Sequence, residues 1–577
     1  MTKVRIEADT VADAYLALLA RRGIDYLFAN AGTDFAPIIE AFAKAKVTGR
    51  RVPTPILVPH ENVAVSMAHG YWMVTGRMQA AMVHVGPGTA NSLNAIMNAS
   101  RQRVPILMTA GRTPINEADV TGSRDTYIHW AQEHFDQSGM VREFVKWDYE
   151  LRNGGQVETV VDRALALARS EPRAPVYLIL PREVLASPLA DPEVTEHGLM
   201  AANAPPQPDA AAIERAAAIL SRAKLPMIVT AEAGETAAGV EALAALASRH
   251  AIPVVQYRAR YLCLPDDHPM HLGYDPGALL READAVLVVE TDVPWIPNEA
   301  RPRDDVPVIQ LGVDPLYSRY PIRGFRADVS VAGNVPAALA QLDGALTRAD
   351  GALAKSLAAR TAKVAELRKV QRARWAEARQ QAEQDTAIQQ TWAGACIERV
   401  RSDDDIIVNE YTLALDQVSL KRPGSYFGNS PVGGLGWGLG AALGAKLAAP
   451  ERTVIAVLGD GSYMFGNPTP AHYVAQANQL PILTVVLNNA MWGAVRRATT
   501  TVYPSGYAAR DNSPPLTYIE PSPQFEKVVE ASGGYGERVE DPAQLPGALE
   551  RAMKAVKVEK RQALLNVLIK RSTARSS

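Results

Sequence analysis

At 577 residues the chain is too long for one hydrophobic core, and ordinary domain sizes divide it into three or four units. Its 47% hydrophobic and 21% charged residues exclude a disordered or low-complexity chain, and 60 Lys plus Arg against 62 Asp plus Glu leave no positive field to gather nucleic acid or anionic lipid. Cys263 and Cys396, alone and far apart, make neither a disulfide framework nor a thiolate metal site, and no apolar run reaches membrane-spanning length.

The opening residues alternate charge with short apolar stretches and lack the apolar segment and cleavage site of a secretory signal, so a cytoplasmic protein is expected. Thr10 and Asp13 form a capping-box pair around the helical stripe Val11, Tyr15, Leu18 and Leu19, which Gly23 ends. A buried strand at 26–28 follows. Residues 56–58 form a second strand that runs through Pro59 and His60 into Glu61, where a helix begins; it continues to about Thr75, Gly76 closes it, and a strand follows at 80–85. Strands at 105–109 and 175–180 complete one α/β domain over 1–188. The Pro- and Ala-rich passage 189–208 has no apolar periodicity and is expected to be a linker.

A second domain, 209–345, repeats the alternation with helices at 211–222 and 240–250 and strands at 226–230, 254–255, 285–289 and 306–311. Residues 346–385, rich in Ala, Arg, Lys, Gln and Glu, suit a long solvated helix crossing to a third domain. That domain, 386–577, has strands at 406–408, 454–458, 482–487 and 563–569. The fold class is α/β throughout.

Chemistry is signalled most strongly by Gly459-Asp460-Gly461 after one buried strand and Asn488-Asn489 after the next, with Asp460 and Asn489 29 positions apart. A carboxylate and an amide at the carboxyl ends of neighbouring parallel strands meet above the sheet. Both are hard oxygen ligands suited to Mg²⁺ together with phosphate oxygens, and the glycines and the following helix start favour a phosphate group. Either half alone reads as a turn. Together they resemble the thiamine-diphosphate motif. The whole chain is similar to the thiamine-diphosphate-dependent enzymes grouped with acetolactate synthase, benzoylformate decarboxylase and pyruvate oxidase. This resemblance implies three doubly wound parallel-sheet domains in the order pyrimidine-binding, middle and diphosphate-binding.

It also implies roles. Asp460, the Asn489 side chain and the Met491 backbone oxygen would hold Mg²⁺, while Gly459, Gly461, Ser462, Thr412 and Trp492 would line the diphosphate site; Thr412 alternatively reads as an ordinary strand-end residue. Glu61, in Pro59-His60-Glu61, matches the family's catalytic glutamate, whose carboxyl meets the pyrimidine nitrogen N1′ of the cofactor; the plainer reading is a favourable helix-start contact. In the stretch 431–439, Leu435 takes the place of the wedge under the cofactor and Gly433 that of a carbonyl acceptor, although a Gly-rich helix packing on a sheet explains the same residues. His84 stands where benzoylformate decarboxylase has a proton-handling histidine, with a structural histidine as the alternative. Asn30, Gly32 and Thr33 would line the same cleft, and Asn91 either joins them or, like Thr89, caps a helix.

The middle domain has no Phe-Asp-Asp-Arg sequence of the flavin-containing acetolactate synthases, which puts FAD in doubt, and no second catalytic histidine. His84 is followed by Val85, so the double histidine of pyruvate decarboxylases is missing too. The proline-broken segment 496–524 reads as a site-covering loop, with Arg496 and Arg497 placed to meet a substrate carboxylate and Tyr503 and Tyr507 to wall a pocket; exposed arginines without a special role are the alternative. The expected activity is a 2-oxo acid decarboxylase or carboligase, the latter with an acceptor carbonyl compound, in a homodimer or homotetramer whose sites lie between subunits. Rival readings are a flavin- or acceptor-coupled oxidase or acyltransferase of the same family, and a catalytically silent cofactor-binding regulatory subunit.

Overall fold

In a computed structural model, which describes residues 2–571 apart from Asp191, Asp350 and Asn512, the alternation of apolar runs and helices resolves into three wholly parallel sheets. The first orders its six strands as Thr54–Leu57, Tyr26–Ala29, Ala80–Val83, Leu107–Arg112, Val176–Pro181 and Asp148–Glu150. The middle sheet has five: Val254–Gln256, Pro226–Thr230, Ala285–Val289, Val308–Gly312 and Val329–Ala332. The third has six: Tyr426–Gly428, Ile406–Glu410, Val454–Gly459, Leu483–Asn488, Ala563–Leu568 and Tyr535–Val539. Helices cover both faces, so central strands such as Leu483–Asn488 are buried along their whole length and read as continuous apolar runs rather than alternating ones.

In each sheet the chain lays its second strand on one side of the first and its third on the other. The reversal leaves a crevice at the carboxyl ends of the first and third strands, where such sheets bind ligands. The crevices therefore fall between Ala29 and Val83, between Thr230 and Val289, and between Glu410 and Gly459.

The expected capping box forms, with the Asp13 N–H donating to Thr10 Oγ1 at 3.2 Å and the Thr10 N–H to Asp13 Oδ2 at 3.2 Å. The expected long helix is Leu357–Glu383, with Ala352–Lys355 as a separate turn before it. Its interior-facing residues are few; Arg360 anchors it, donating to the Ala251 carbonyl at 3.0 Å and the Lys224 carbonyl at 3.1 Å. Other elements depart from the sequence reading. The passage expected as an unstructured linker contributes Glu193–Thr195, which pairs antiparallel with Lys3–Arg5. The strands at Asp148–Glu150, Tyr426–Gly428, Val329–Ala332 and Tyr535–Val539 are sheet edges, either three residues long or carrying exposed positions, and so lack the continuous apolar run by which the inner strands are read.

Two contacts join the domains around the site. Helix Glu61–Thr75 lies directly on helix Gly438–Ala448: a Cβ on Gly70 would stand 2.0 Å from the Ala441 carbonyl oxygen, and one on Gly444 2.0 Å from that of Met67. Only glycine permits that approach. On the other side Arg103 of the first domain reaches Glu232 of the middle domain at 2.5 Å and also pairs with Glu290, all three buried or nearly so.

Candidate functional site

The first crevice holds a carboxylate and a histidine. Glu61 opens its helix behind the N-cap His60 and is buried. Asn30, just past its strand, donates its amide to Glu61 Oε1 at 2.9 Å, and Asn91 donates to Oε2 at 3.3 Å. Two amide donors and the positive helix end thus hold the carboxyl in one plane. Asn91 therefore serves neither as a helix cap nor as a free cleft residue. Thr89 is not a cap either: its hydroxyl donates to the Val85 carbonyl at 2.6 Å and meets the Tyr177 hydroxyl at 2.7 Å, fully buried.

His84 occupies the N-cap position of helix Val85–Arg101 without capping it. Its ring turns instead to Asp34, with Nδ1 2.5 Å from Oδ1, while Nε2 lies 3.2 Å from Gln132 Nε2. The buried Asp34 carboxylate raises the imidazole above the usual histidine range. Gly32, expected at the cofactor, has a steric role here: a Cβ would stand 2.0 Å from His84 Nδ1. Thr33 turns its hydroxyl toward His129 at 3.4 Å.

The third crevice collects oxygen ligands. Asp460 begins its short helix straight after strand Val454–Gly459, and the backbone of Gly461, Ala490 and Met491 approaches its carboxyl group. Burial nevertheless pushes that carboxyl up to about 6. Asp460 Oδ2 and, beside it in the crevice, Thr412 Oγ1 are buried without a hydrogen-bond partner. Asn489 Oδ1 accepts from the Met491 N–H at 3.1 Å, which holds the two together. An unpaired buried carboxylate oxygen, an adjacent amide oxygen and a backbone carbonyl make a donor set that fits Mg²⁺ bearing phosphate oxygens. Among the described residues no group of three or more His, Cys, Asp or Glu side chains gathers as a metal site, as expected where amide, carbonyl and phosphate oxygens complete the shell.

Four residues expected at the diphosphate site have neighbours within the chain. The Ser462 hydroxyl turns to the Glu410 carboxylate. Gly461 makes room for the ring of Trp492, which a Cβ would approach to 2.3 Å, so these two pack on each other. Gly459 leaves space for Thr412, whose Cγ2 would lie 3.3 Å from a Cβ there.

Leu435 is half-buried in a loop braced from both sides. Glu410, wholly buried at the end of its strand, accepts from the N–H groups of Gly436 at 2.8 Å and Gly438 at 2.7 Å. From the first domain, Asn98 donates to the Gly434 carbonyl at 2.8 Å, Asn94 to that of Leu435 at 3.0 Å and Asn62 to that of Gly436 at 3.2 Å. Gly433 adopts a φ of +68° beside the Tyr411 hydroxyl, a conformation that favours glycine. Within one chain the glycine-lined helix crossing carries the start of the Glu61 helix to the Leu435 loop.

The covering segment also differs from expectation. Residues Gly493–Val502 and Tyr507–Arg510 are helical, since good helix formers precede Pro504. Further on, the chain is tied to the loop that carries Asn489 and Met491, with the Trp492 N–H donating to Thr517 O at 2.8 Å and the Ile519 N–H to Ala490 O at 2.8 Å. Arg496 is buried and donates to the Tyr518 hydroxyl at 3.1 Å, while Tyr503 and Tyr507 are exposed.

In the middle domain the crevice is filled. Glu232, Glu290 and Asp292 are buried there with Arg103 and Arg260, the latter 2.5 Å from Asp292. Three carboxylates in that position oppose the diphosphate of a flavin dinucleotide.

Sequence reasoning passed over Asp34, Gln132, Glu410, Asn94 and Asn98. Glu410 carried a signal, an acid ending an otherwise apolar strand. The asparagines carried none, as their partners lie more than 300 residues away.

Comparison with known proteins gives three domain matches, all described as thiamine pyrophosphate enzyme: an N-terminal TPP binding domain at residues 9–140, a central domain at 213–342 and a C-terminal TPP binding domain at 409–567. The chain is 27% identical to sulfoacetaldehyde acetyltransferase of Rhodobacter capsulatus, over 94% of this chain and 92% of that one. It is 26% identical to benzoylformate decarboxylase of Pseudomonas aeruginosa, over 84% and 87%. Its fold matches that of a 4-hydroxybenzoylformate decarboxylase from Rhodococcus jostii with a TM-score of 0.78, at 22% identity, covering 98% of this chain and 100% of that one. No helix among the described residues is long and apolar enough to cross a membrane.

Proposed function

Since this chain belongs to the thiamine pyrophosphate enzymes, a family that its three domain matches span from end to end, we propose that it is a Mg²⁺-dependent decarboxylase or carboligase of 2-oxo acids, working without flavin. One observation carries the reading. A buried glutamate held by two amides stands at one crevice, and the unpartnered Asp460 and Thr412 oxygens stand at the other, with the Leu435 loop braced between the domains that supply them.

Asp460, Asn489 and the Met491 carbonyl would hold Mg²⁺, and the metal's charge would reverse the effect of burial on Asp460. Thr412 would donate to a phosphate oxygen. Bound thiamine diphosphate supplies a carbon nucleophile and then an electron sink for the carboxylate lost from the 2-oxo acid. Glu61 holds a proton at the pyrimidine nitrogen N1′. Leu435 would support the cofactor from below, and the Gly433 carbonyl would accept from its amino group. His84 delivers and removes protons at the reacting carbon. The filled middle crevice supports a reaction without FAD.

The test is CO₂ release from a panel of aliphatic and aromatic 2-oxo acids, with thiamine diphosphate and Mg²⁺, with and without an acceptor aldehyde. Release from one acid, lost in Glu61→Ala, supports the reading, and a carbon–carbon product with the aldehyde selects carboligation. Similarity to the Rhodobacter capsulatus acetyltransferase keeps acyl transfer as a second reading. It would appear as acyl product with no aldehyde added. A flavin absorption band in the purified protein would overturn the flavin-free assignment.

A further inference from the structure

The His84 ring is gripped at both nitrogens. Asp34 lies 2.5 Å from Nδ1, and Gln132 lies 3.2 Å from Nε2. Asp34 is buried and its space is provided for: a Cβ on Gly111 would fall 1.7 Å from Asp34 Oδ2, and one on Gly32 would fall 2.8 Å from Oδ1. Gly32, in the loop after Tyr26–Ala29, and Gly111, in strand Leu107–Arg112, thus make a slot for one carboxylate, and the carboxylate's partner is an imidazole.

We propose that Asp34 is a positioning residue for the reaction: it locks His84 by Nδ1 so that Nε2 carries the proton delivered to the substrate's reacting carbon. The inference rests on the reading of His84 as the proton-handling group. After transfer the neutral ring keeps Nδ1–H on Asp34, which stays ionised, and Nε2 is reprotonated from water. The same carboxylate fixes the tautomer at each stage.

The Gln132 amide fits this assignment. Its Oε1 is buried without a partner while its nitrogen faces His84 Nε2. Exchanging the two amide positions, which differ only in assignment, lets Oε1 accept from a protonated Nε2.

The charged surroundings agree. His84 faces Asp34 from the loop after Tyr26–Ala29 and Glu61 from its helix start, both acidic, and these raise the imidazole. His129 stands behind, on the same short segment as Gln132, with Asp125, Arg124 and Arg182 around it, and burial lowers it. The two histidines are driven in opposite directions, His84 up by Asp34 and His129 down by burial. Where two groups of one kind are driven apart in this way, acid and base roles separate.

The test reads His84 directly in the cofactor-free protein, by NMR titration of its ring with His84→Gln to assign the signal. In Asp34→Asn, which keeps the size and a hydrogen bond, the His84 midpoint should fall by about one to three pH units. Gly111→Ala, which displaces the carboxylate while leaving its charge in the chain, should move it the same way. In the loaded enzyme Asp34→Asn should shift the alkaline limb of kcat to lower pH with KM unchanged. A His84 midpoint unmoved in a folded Asp34→Asn variant overturns the positioning role. A midpoint that moves while the pH profile stays fixed overturns the catalytic part of the proposal. Full activity in His84→Gln would instead sink the underlying reading of His84, and that outcome is separable because the titration does not depend on turnover.

Discussion

Glu61 is held by neutral amides rather than by a cation, so its hold depends on donor geometry and not on ionic strength. Removing the carboxylate removes a positioned proton site, and Glu61→Ala should lower kcat by ~10²–10⁴ with the fold intact, measured as CO₂ release. Asn30→Ala or Asn91→Ala leaves one buried carboxylate oxygen without its donor, at a cost of about 1–3 kcal/mol in stability, seen in the denaturation midpoint. The Asp34–His84 pair makes a prediction with a sign. Because the folded state raises the His84 imidazole, the pair's stabilisation is fully present below the ordinary histidine value of ~6.5 and is lost as pH rises through the elevated folded value. Asp34→Asn should therefore destabilise the protein more at about pH 5 than at about pH 9, by urea unfolding at each.

At the scale of elements, the loops after Val454–Gly459 and Leu483–Asn488, proposed to hold Mg²⁺, meet because parallel neighbours end at the same level. Mg²⁺ with thiamine diphosphate at about 100 times its Kd should stabilise the fold by ~2.7 kcal/mol. Chelation should remove that gain together with activity, and Asp460→Ala should show neither, by thermal melting with and without EDTA. The crossing of helices Glu61–Thr75 and Gly438–Ala448 has no room for a side chain at Gly70, where the obstacle is the Ala441 backbone. Gly70→Val should cost about 3 kcal/mol and, by separating the helices, reduce turnover even where the variant folds.

For the molecule as a whole, Arg103 is a nearly buried link between the first and middle domains. It is the cation shared by Glu232 and Glu290, which sit in the crevice of another sheet. Arg103→Ala would leave two buried carboxylates short of their counter-charge and should destabilise by about 3–5 kcal/mol. The expected signature is a calorimetric transition that splits, with the middle domain melting first.

What the sequence alone determined was local. The buried strands, the capping box at Thr10, and the glycine, acid and asparagine signals at Gly459-Asp460-Gly461, Asn489 and Glu61 are written in consecutive residues, because apolar runs and turn chemistry act over a few positions. The edge strands at 148–150, 329–332, 426–428 and 535–539 escaped because they are too short or too mixed in exposure to show a continuous apolar run. Only the tertiary structure decided which polar groups meet. Asn30 and Asn91 turn to Glu61, Ser462 turns to Glu410, Asp34 finds His84 across 50 positions, and Asn94 and Asn98 reach a loop more than 300 positions away. An amide or hydroxyl has no intrinsic preference among partners. Its choice is set by which backbone the packing of helices and sheets carries within about 3 Å of it, and that packing is a property of the folded chain.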